Sequence, residues 1–188
     1  MTDAVVFDFD GTLYQDEETA HDQFMDTLND ELARNGIQQP KKILANAQKA
    51  IETGTHTSTC AFLTETLEMP IEPIKETVHE QTLETISATS REQLIDQYDG
   101  TYSLIFTNNS EHLVDLFLRE HDRHVDKIIG AETLEELKPS EEAFQTCTEA
   151  VPCPATETVF IDDTKANRRT AKKYGFTVQD PARIEVER

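Results

Sequence analysis

Residues 5–13 read VVFDFDGTL, and this stretch decides the fold. Its apolar residues predict a short buried strand that ends at two aspartates, and Gly11 permits a tight turn after them. Asp8 and Asp10 are two residues apart, so their side chains point to the same side of an extended chain. Such a pair can divide the work of catalysis, one carboxylate attacking an electrophile while the other exchanges a proton. Taken alone, the pattern is equally compatible with two solvated aspartates before a turn.

After residue 90, predicted strands alternate with predicted helices. The strands are 102–106, 127–129, 158–161 and 176–178, and the helices are 91–98, 112–120, one capped by Ser140, and 165–174. With the first strand, this alternation predicts a Rossmann-like α/β fold, a parallel sheet of about five strands covered on both faces.

The intervening segment has almost no strand signal. It predicts helices at 17–34, 41–52, 58–67 and 71–87, each with apolar residues on one face. We therefore expect an α/β core domain formed by residues 1–14 and 91–188, and an inserted all-helical subdomain at 15–90.

Residues 7–13 resemble the first motif of the haloacid dehalogenase-like superfamily. The resemblance implies that Asp8 is a nucleophile and that Asp10 is a general acid and base. Three later segments resemble the remaining motifs in the family's order, each near a predicted strand end: 107–109, 138–139 and 159–164. Each of these alone has an ordinary explanation, as a strand-to-helix turn, a surface lysine or helix-capping acids.

The resemblance also implies roles for the later motifs. Thr107 and Asn108, with Gly11 and backbone N–H groups, would hold the transferred phosphoryl group, and Lys138 would neutralise its oxygens. Asp162 and Asp163 would repel Asp8 unless a divalent cation lay among them, and oxygen ligands favour Mg²⁺.

The expected metal ligands are Asp8, Asp10 through its backbone carbonyl, and the Asp162–Asp163 pair. Within that pair, Asp163 is the expected direct ligand. Asp162 is expected to act through water or to orient Lys138.

The predicted function is therefore a Mg²⁺-dependent phosphatase that hydrolyses a small-molecule phosphate monoester through an aspartyl-phosphate on Asp8. Asp10 argues against a dehalogenase, because the family's dehalogenases lack an acid two residues after the nucleophile. A phosphotransferase or phosphomutase of the same fold remains an alternative, as does a non-catalytic phosphate-binding member. The helical insert resembles the family's cap, which closes over the site and selects small substrates.

Composition restricts the partners. A net charge of −20 would repel nucleic acids and anionic membranes, and no apolar run approaches the roughly 20 residues that a membrane helix needs. The three cysteines lack metal-site spacing, and the first ten residues do not resemble a signal peptide. We therefore expect a cytoplasmic protein, while its oligomeric state has no sequence signal.

Overall fold

A computed structural model describes residues 2–56, 58–67 and 69–185. The chain forms two compact units. The sheet unit combines the residues up to Glu17 with those from Ser87 onward, and the helical unit is Glu18–Ile86. The chain thus passes from one unit to the other twice.

In the part of the sheet unit that the structure describes, the sheet has five parallel strands. They are β1 (Ala4–Phe7), β2 (Tyr102–Phe106), β3 (Lys127–Ile129), β4 (Thr158–Ile161) and β5 (Thr177–Gln179), in the spatial order β3-β2-β1-β4-β5. Every residue of β1 is buried, as expected for the central strand of a sheet covered on both faces. The predicted Rossmann-like α/β fold is confirmed.

The described residues of the helical unit form four helices. They are α1 (Glu17–Arg34), α2 (Pro40–Glu52), α3 (Thr59–Thr66) and α4 (Glu72–Ala88), the first and last of which extend a residue or two into the sheet unit. Their apolar faces meet in one core that includes Leu32, Leu44, Leu63 and Val78. Pro40, expected just before α2, is instead its first residue. Proline is tolerated at this position because the N–H group that it lacks would have no hydrogen-bond partner within the helix.

Among its described residues, the sheet unit also has the helices α5 (Gln93–Asp96), α6 (Glu111–Glu120), α7 (Glu141–Ala150) and α8 (Lys165–Lys173). Ser140 caps α7 as expected, its Oγ accepting a hydrogen bond from the Ala143 backbone N–H at 3.1 Å. Phe106, Phe144 and Phe160 form an aromatic core between the sheet and α7.

The strand register sets the position of the polar residues. Phe7 pairs with Ile161, the last residue of β4, and with Ile105, the last but one of β2, so the residues that follow these three strands emerge within one residue of the same level. Chain order reverses at β1, and open α/β sheets bind ligands at the carboxyl ends of the strands beside such a reversal. In the parts of the chain that the structure describes, no helix has the length and apolar character to cross a membrane.

Candidate functional site

Asp8 lies immediately after β1 and is nearly buried, with 5% of its surface exposed. Its backbone N–H donates to the carbonyl of Ile161 at 2.8 Å, which extends the pairing of β1 with β4. Its Oδ1 accepts a hydrogen bond from Lys138 Nζ at 2.6 Å. Burial raises the pKa of Asp8 well above its ordinary value, and the Lys138 charge offsets only part of this effect.

Lys138 is a buried cation whose ammonium group contacts three oxygens. Besides Asp8, Nζ donates to the backbone carbonyl of Phe106 at 2.7 Å and to Asp162 Oδ2 at 3.2 Å. Burial lowers the pKa of Lys138, but the charges of Asp8 and Asp162 outweigh it and the net pKa is raised. Lys138 therefore stays protonated, and its position fixes one positive charge between two carboxylates.

Asn108 holds the backbone of Lys138. Its Nδ2 donates to the Lys138 carbonyl at 3.0 Å, and its Oδ1 accepts from the Lys138 N–H at 2.8 Å. The Lys138–Pro139 peptide bond is cis. The amide thus ties the loop after β2 to the loop that carries Lys138, and its predicted contact with substrate stays a prediction.

Asp10 accepts three side-chain hydrogen bonds. Its Oδ1 accepts from Tyr14 Oη at 2.5 Å and from Asn109 Nδ2 at 2.9 Å, and its Oδ2 accepts from Thr107 Oγ1 at 3.1 Å. Thr107, expected to bind a phosphoryl group, is therefore placed beside Asp10. Sequence reasoning assigned no role to Tyr14 or Asn109, although Tyr14 directly follows the first motif and Asn109 is the last residue of the second.

Asp162 and Asp163 differ in their surroundings. Asp162 is fully buried, and its carboxylate accepts from the Thr164 N–H at 2.8 Å, from Asn167 Nδ2 at 3.0 Å and from Lys138. Asp163 is exposed, and its Oδ1 accepts a long hydrogen bond from Thr164 Oγ1 at 3.4 Å. Partial burial, followed by the charge of Asp162, raises the pKa of Asp163.

Three of these carboxylates could hold a metal ion together. Asp8, Asp162 and Asp163 each offer one oxygen, and the three oxygens lie within 4.8 Å of one another. A set made only of carboxylate oxygens fits a hard divalent cation such as Mg²⁺. The Asp10 carboxylate is outside this group and is hydrogen-bonded to Tyr14, Asn109 and Thr107, which leaves its backbone carbonyl for the predicted metal contact.

Gly11 provides the space that Asp163 occupies. Its φ of +70° lies in the left-handed region, which glycine adopts without steric cost. A Cβ atom at this position would lie 2.7 Å from both Cγ and Oδ2 of Asp163. The glycine is thus required by its backbone conformation and by the approach of the carboxylate, in addition to any predicted contact with substrate.

Comparisons with known proteins agree with this fold. A family model described as "Haloacid dehalogenase-like hydrolase" matches residues 5–179, which include all four predicted motifs. A search of curated protein sequences gives no significant match.

Solved structures share the fold at low sequence identity. CbbY from Rhodobacter sphaeroides in complex with phosphate has a TM-score of 0.61 and 17% identity, covering 96% of this chain and 86% of that chain. YfnB from Bacillus subtilis, bound to magnesium, has a TM-score of 0.59 and 20% identity, covering 93% and 86%. L-2-haloacid dehalogenase from Xanthobacter autotrophicus has a TM-score of 0.61 and 19% identity, covering 95% and 76%.

Proposed function

Because this chain belongs to the haloacid dehalogenase-like hydrolases, we propose that it is a Mg²⁺-dependent phosphatase acting on a small phosphate monoester through an aspartyl-phosphate on Asp8. The observation that carries the proposal is the contrast between two carboxylates of one motif. Asp8 forms an ion pair with the buried Lys138, whereas Asp10 accepts hydrogen bonds from the neutral side chains of Tyr14 and Asn109. Two carboxylates in different environments are suited to different roles, here nucleophile and general acid.

The proposed reaction has two steps. An oxygen of Asp8 attacks phosphorus in line with the leaving group, the bond from phosphorus to the ester oxygen breaks, and Asp10 gives that oxygen a proton. Asp10 then takes a proton from water, which attacks phosphorus and releases Asp8 and inorganic phosphate. Lys138 lies 2.6 Å from Asp8 and would stabilise the negative charge of the transferring group.

The donor set supports Mg²⁺ as the cofactor. Asp8 and Asp163 belong to the group of close carboxylates and would bind the ion together with the predicted ligand, the Asp10 carbonyl. Mg²⁺ held there would supply the positive charge that lets a phosphate approach these carboxylates. The magnesium bound to YfnB, which shares this fold, is consistent with the assignment. Asp162 is not needed as a direct ligand, because its oxygens are already hydrogen-bonded to Lys138, Asn167 and Thr164.

Asp10 also supports phosphate chemistry over dehalogenation. A halide leaving group needs no proton, so an acid held beside the nucleophile has a use in ester cleavage that it lacks in halide displacement. CbbY, which shares this fold, is in complex with phosphate, and this supports a phosphate-containing ligand for the present chain. In this proposal the helical unit is the cap that selects a small cytoplasmic phosphate ester.

The test is phosphate release from p-nitrophenyl phosphate with Mg²⁺ or with EDTA. We expect wild-type activity that requires the metal and is lost in Asp8→Asn, which keeps the side-chain size but cannot act as an anionic nucleophile. Asp22→Asn, a change on the exposed surface of α1, is the matched control and should keep full activity.

Two other outcomes would overturn the proposal. Chloride release from 2-chloropropionate without phosphate release would identify a dehalogenase. Phosphoryl transfer to an added alcohol in preference to water would identify a phosphotransferase.

A further inference from the structure

Tyr14 is placed rigidly beside the motif that carries Asp8 and Asp10. It is 2% exposed, and its ring packs edge-on against Phe9 with the ring centroids 5.2 Å apart. Phe9 in turn packs edge-on against Phe117 of α6. The backbone of Tyr14 forms an antiparallel bridge with Ser90. Both the ring and the main chain are therefore fixed, and the phenol oxygen has a set position.

The phenol oxygen lies beside the Oδ1 atom of Asp10. Tyr14 Oη donates to Oδ1 at 2.5 Å, and Asn109 Nδ2 donates to the same atom at 2.9 Å. A carboxylate oxygen accepts hydrogen bonds, so the phenol is the donor in this contact. Oδ1 thus accepts hydrogen bonds from two donors. The amide N–H₂ group of Asn109 can only donate, so it could not accept a hydrogen bond from a proton on Oδ1.

Oδ2 of Asp10 has different surroundings. Its one side-chain contact among the described residues is the Thr107 hydroxyl at 3.1 Å. A hydroxyl can either donate or accept, so Thr107 tolerates a proton on Oδ2. The two oxygens of Asp10 are therefore not equivalent, and only Oδ2 is free to exchange a proton.

We propose that Tyr14 is a positioning residue that, with Asn109, holds Oδ1 of Asp10 and so directs Oδ2 to give its proton to the leaving-group oxygen. The proton moves from Oδ2 to the ester oxygen as the bond from phosphorus to that oxygen breaks, which leaves Asp10 ionised. The proposal rests on the proposed phosphatase function. It adds a residue that the four motifs do not include.

Leaving groups of different basicity test this role. p-Nitrophenolate departs with little help from an acid, whereas phenolate is more basic and depends on one. In Tyr14→Phe, we expect kcat/KM for phenyl phosphate to fall about tenfold, the effect of one hydrogen bond to a charged group. The fall for p-nitrophenyl phosphate should be at most about twofold, because misplacing the acid costs an easy leaving group little.

Two further variants separate the possible failures. Tyr98→Phe is the matched control, because Tyr98 also packs on a phenylalanine and donates from its hydroxyl, to Gln179 at 3.3 Å. It should change the two rates equally or not at all. Asp10→Asn removes the acid itself and should slow phenyl phosphate by about 10²–10⁴-fold, with a smaller effect on the nitrophenyl ester.

The outcomes are distinguishable. If kcat/KM falls equally for both esters in Tyr14→Phe, Tyr14 has only a structural role and the inference is overturned. If Asp10→Asn shows no preferential loss, the assignment of Asp10 as the acid fails, and with it this inference. A wild-type protein that releases phosphate from neither ester would instead contradict the proposed function.

A readout independent of activity is available from the four tyrosines of the chain. With ¹³Cζ-labelled tyrosine, the resonance that disappears in Tyr14→Phe should shift in Asp10→Asn. An unchanged resonance would show that Tyr14 and Asp10 are not in contact, and would overturn the inference even in an inactive preparation.

Discussion

At the scale of single residues, Lys138 is a buried cation that forms ion pairs with both Asp8 and Asp162. Replacing it with methionine keeps the length of the side chain but leaves Asp8 and Asp162 buried without a counter-charge. We expect the free energy of unfolding in EDTA to fall by about 3–5 kcal/mol. We expect kcat on p-nitrophenyl phosphate to fall about 10²–10³-fold. Urea denaturation and steady-state kinetics measure these two quantities.

The control for this prediction is Lys173→Met. Lys173 also pairs with a carboxylate, Glu141 at 3.2 Å, but both side chains are exposed, and such pairs contribute at most about 1 kcal/mol. Adding Asp162→Asn to Lys138→Met removes one uncompensated charge and should restore part of the stability without restoring activity. Activity in Lys138→Met close to that of the wild type would contradict the assigned role.

Gly11 gives a second prediction at this scale. Gly11→Ala combines an unfavourable left-handed conformation with a Cβ atom 2.7 Å from Asp163. We expect Mg²⁺ affinity, measured by calorimetric titration, to fall by about tenfold or more because Asp163 is displaced. Gly36 has a similar φ of +82°, but a Cβ atom added there would have no neighbouring atom within 4 Å. Gly36→Ala should therefore lower the free energy of unfolding by about 1–2 kcal/mol without changing Mg²⁺ affinity. Equal affinities in the two variants would contradict this account.

At the scale of elements, Asn108 joins the loop after β2 to the loop before α7. Asn108→Ala removes both hydrogen bonds to the Lys138 backbone. We expect unfolding free energy to fall by about 1–3 kcal/mol and kcat to fall while KM changes little. A substrate contact would instead raise KM. Ser140→Ala is the control, because losing the α7 cap costs about 1 kcal/mol and leaves Lys138 in place.

The elements themselves were largely predictable from local sequence. The bounds of α1, β2, β3 and β4 agree with the predicted ranges, because apolar runs and glycine or proline breakers mark those segments. The segment predicted as a helix at 91–98 is regular only at Gln93–Asp96, since the neighbouring residues form turns. Short elements have few periodic positions, so their ends depend on packing that sequence does not show.

Part of the candidate site was also predictable from local sequence. Asp8, Lys138, Asp162 and Asp163 follow strands or precede helices whose order places them at one edge of the sheet, and the structure brings them together. The partners Tyr14 and Asn109 were missed because their contacts depend on side-chain directions across the core. A buried phenol beside a charged motif is the signal that could have indicated Tyr14, since a buried hydroxyl needs a partner.

At the scale of the whole molecule, the net charge of −20 opposes the approach of a phosphate ester. Helix α8 is an exception, with Lys165, Arg169 and Lys172 exposed on the helix that begins beside Asp163. Changing all three to glutamine should lower kcat/KM for p-nitrophenyl phosphate several-fold at low ionic strength. The difference should disappear near 1 M salt, where the Debye length is about 3 Å.

A variant with the same change in net charge isolates the effect of position. Arg119, Arg123 and Lys127 lie in the sheet unit between the end of α6 and the start of β3, at the edge of the sheet opposite the carboxyl ends of the strands. Replacing them with glutamine also removes three positive charges. We expect a smaller loss from this variant at every salt concentration. Equal losses would show that net charge alone matters and that α8 has no special role.

The central position of β1 has a consequence for synthesis on the ribosome. Ala4 pairs with Tyr102 on one side and with Thr158 on the other, so β1 emerges long before either neighbour. At about 5–20 residues per second, the synthesis of β2 follows that of β1 by several seconds or more. By then all residues of the helical unit, whose contacts are closer in sequence, have been made. Asp8 is made early and Lys138 and Asp163 late. The order of translation thus delays the assembly of the site until nearly all of the described chain has been made.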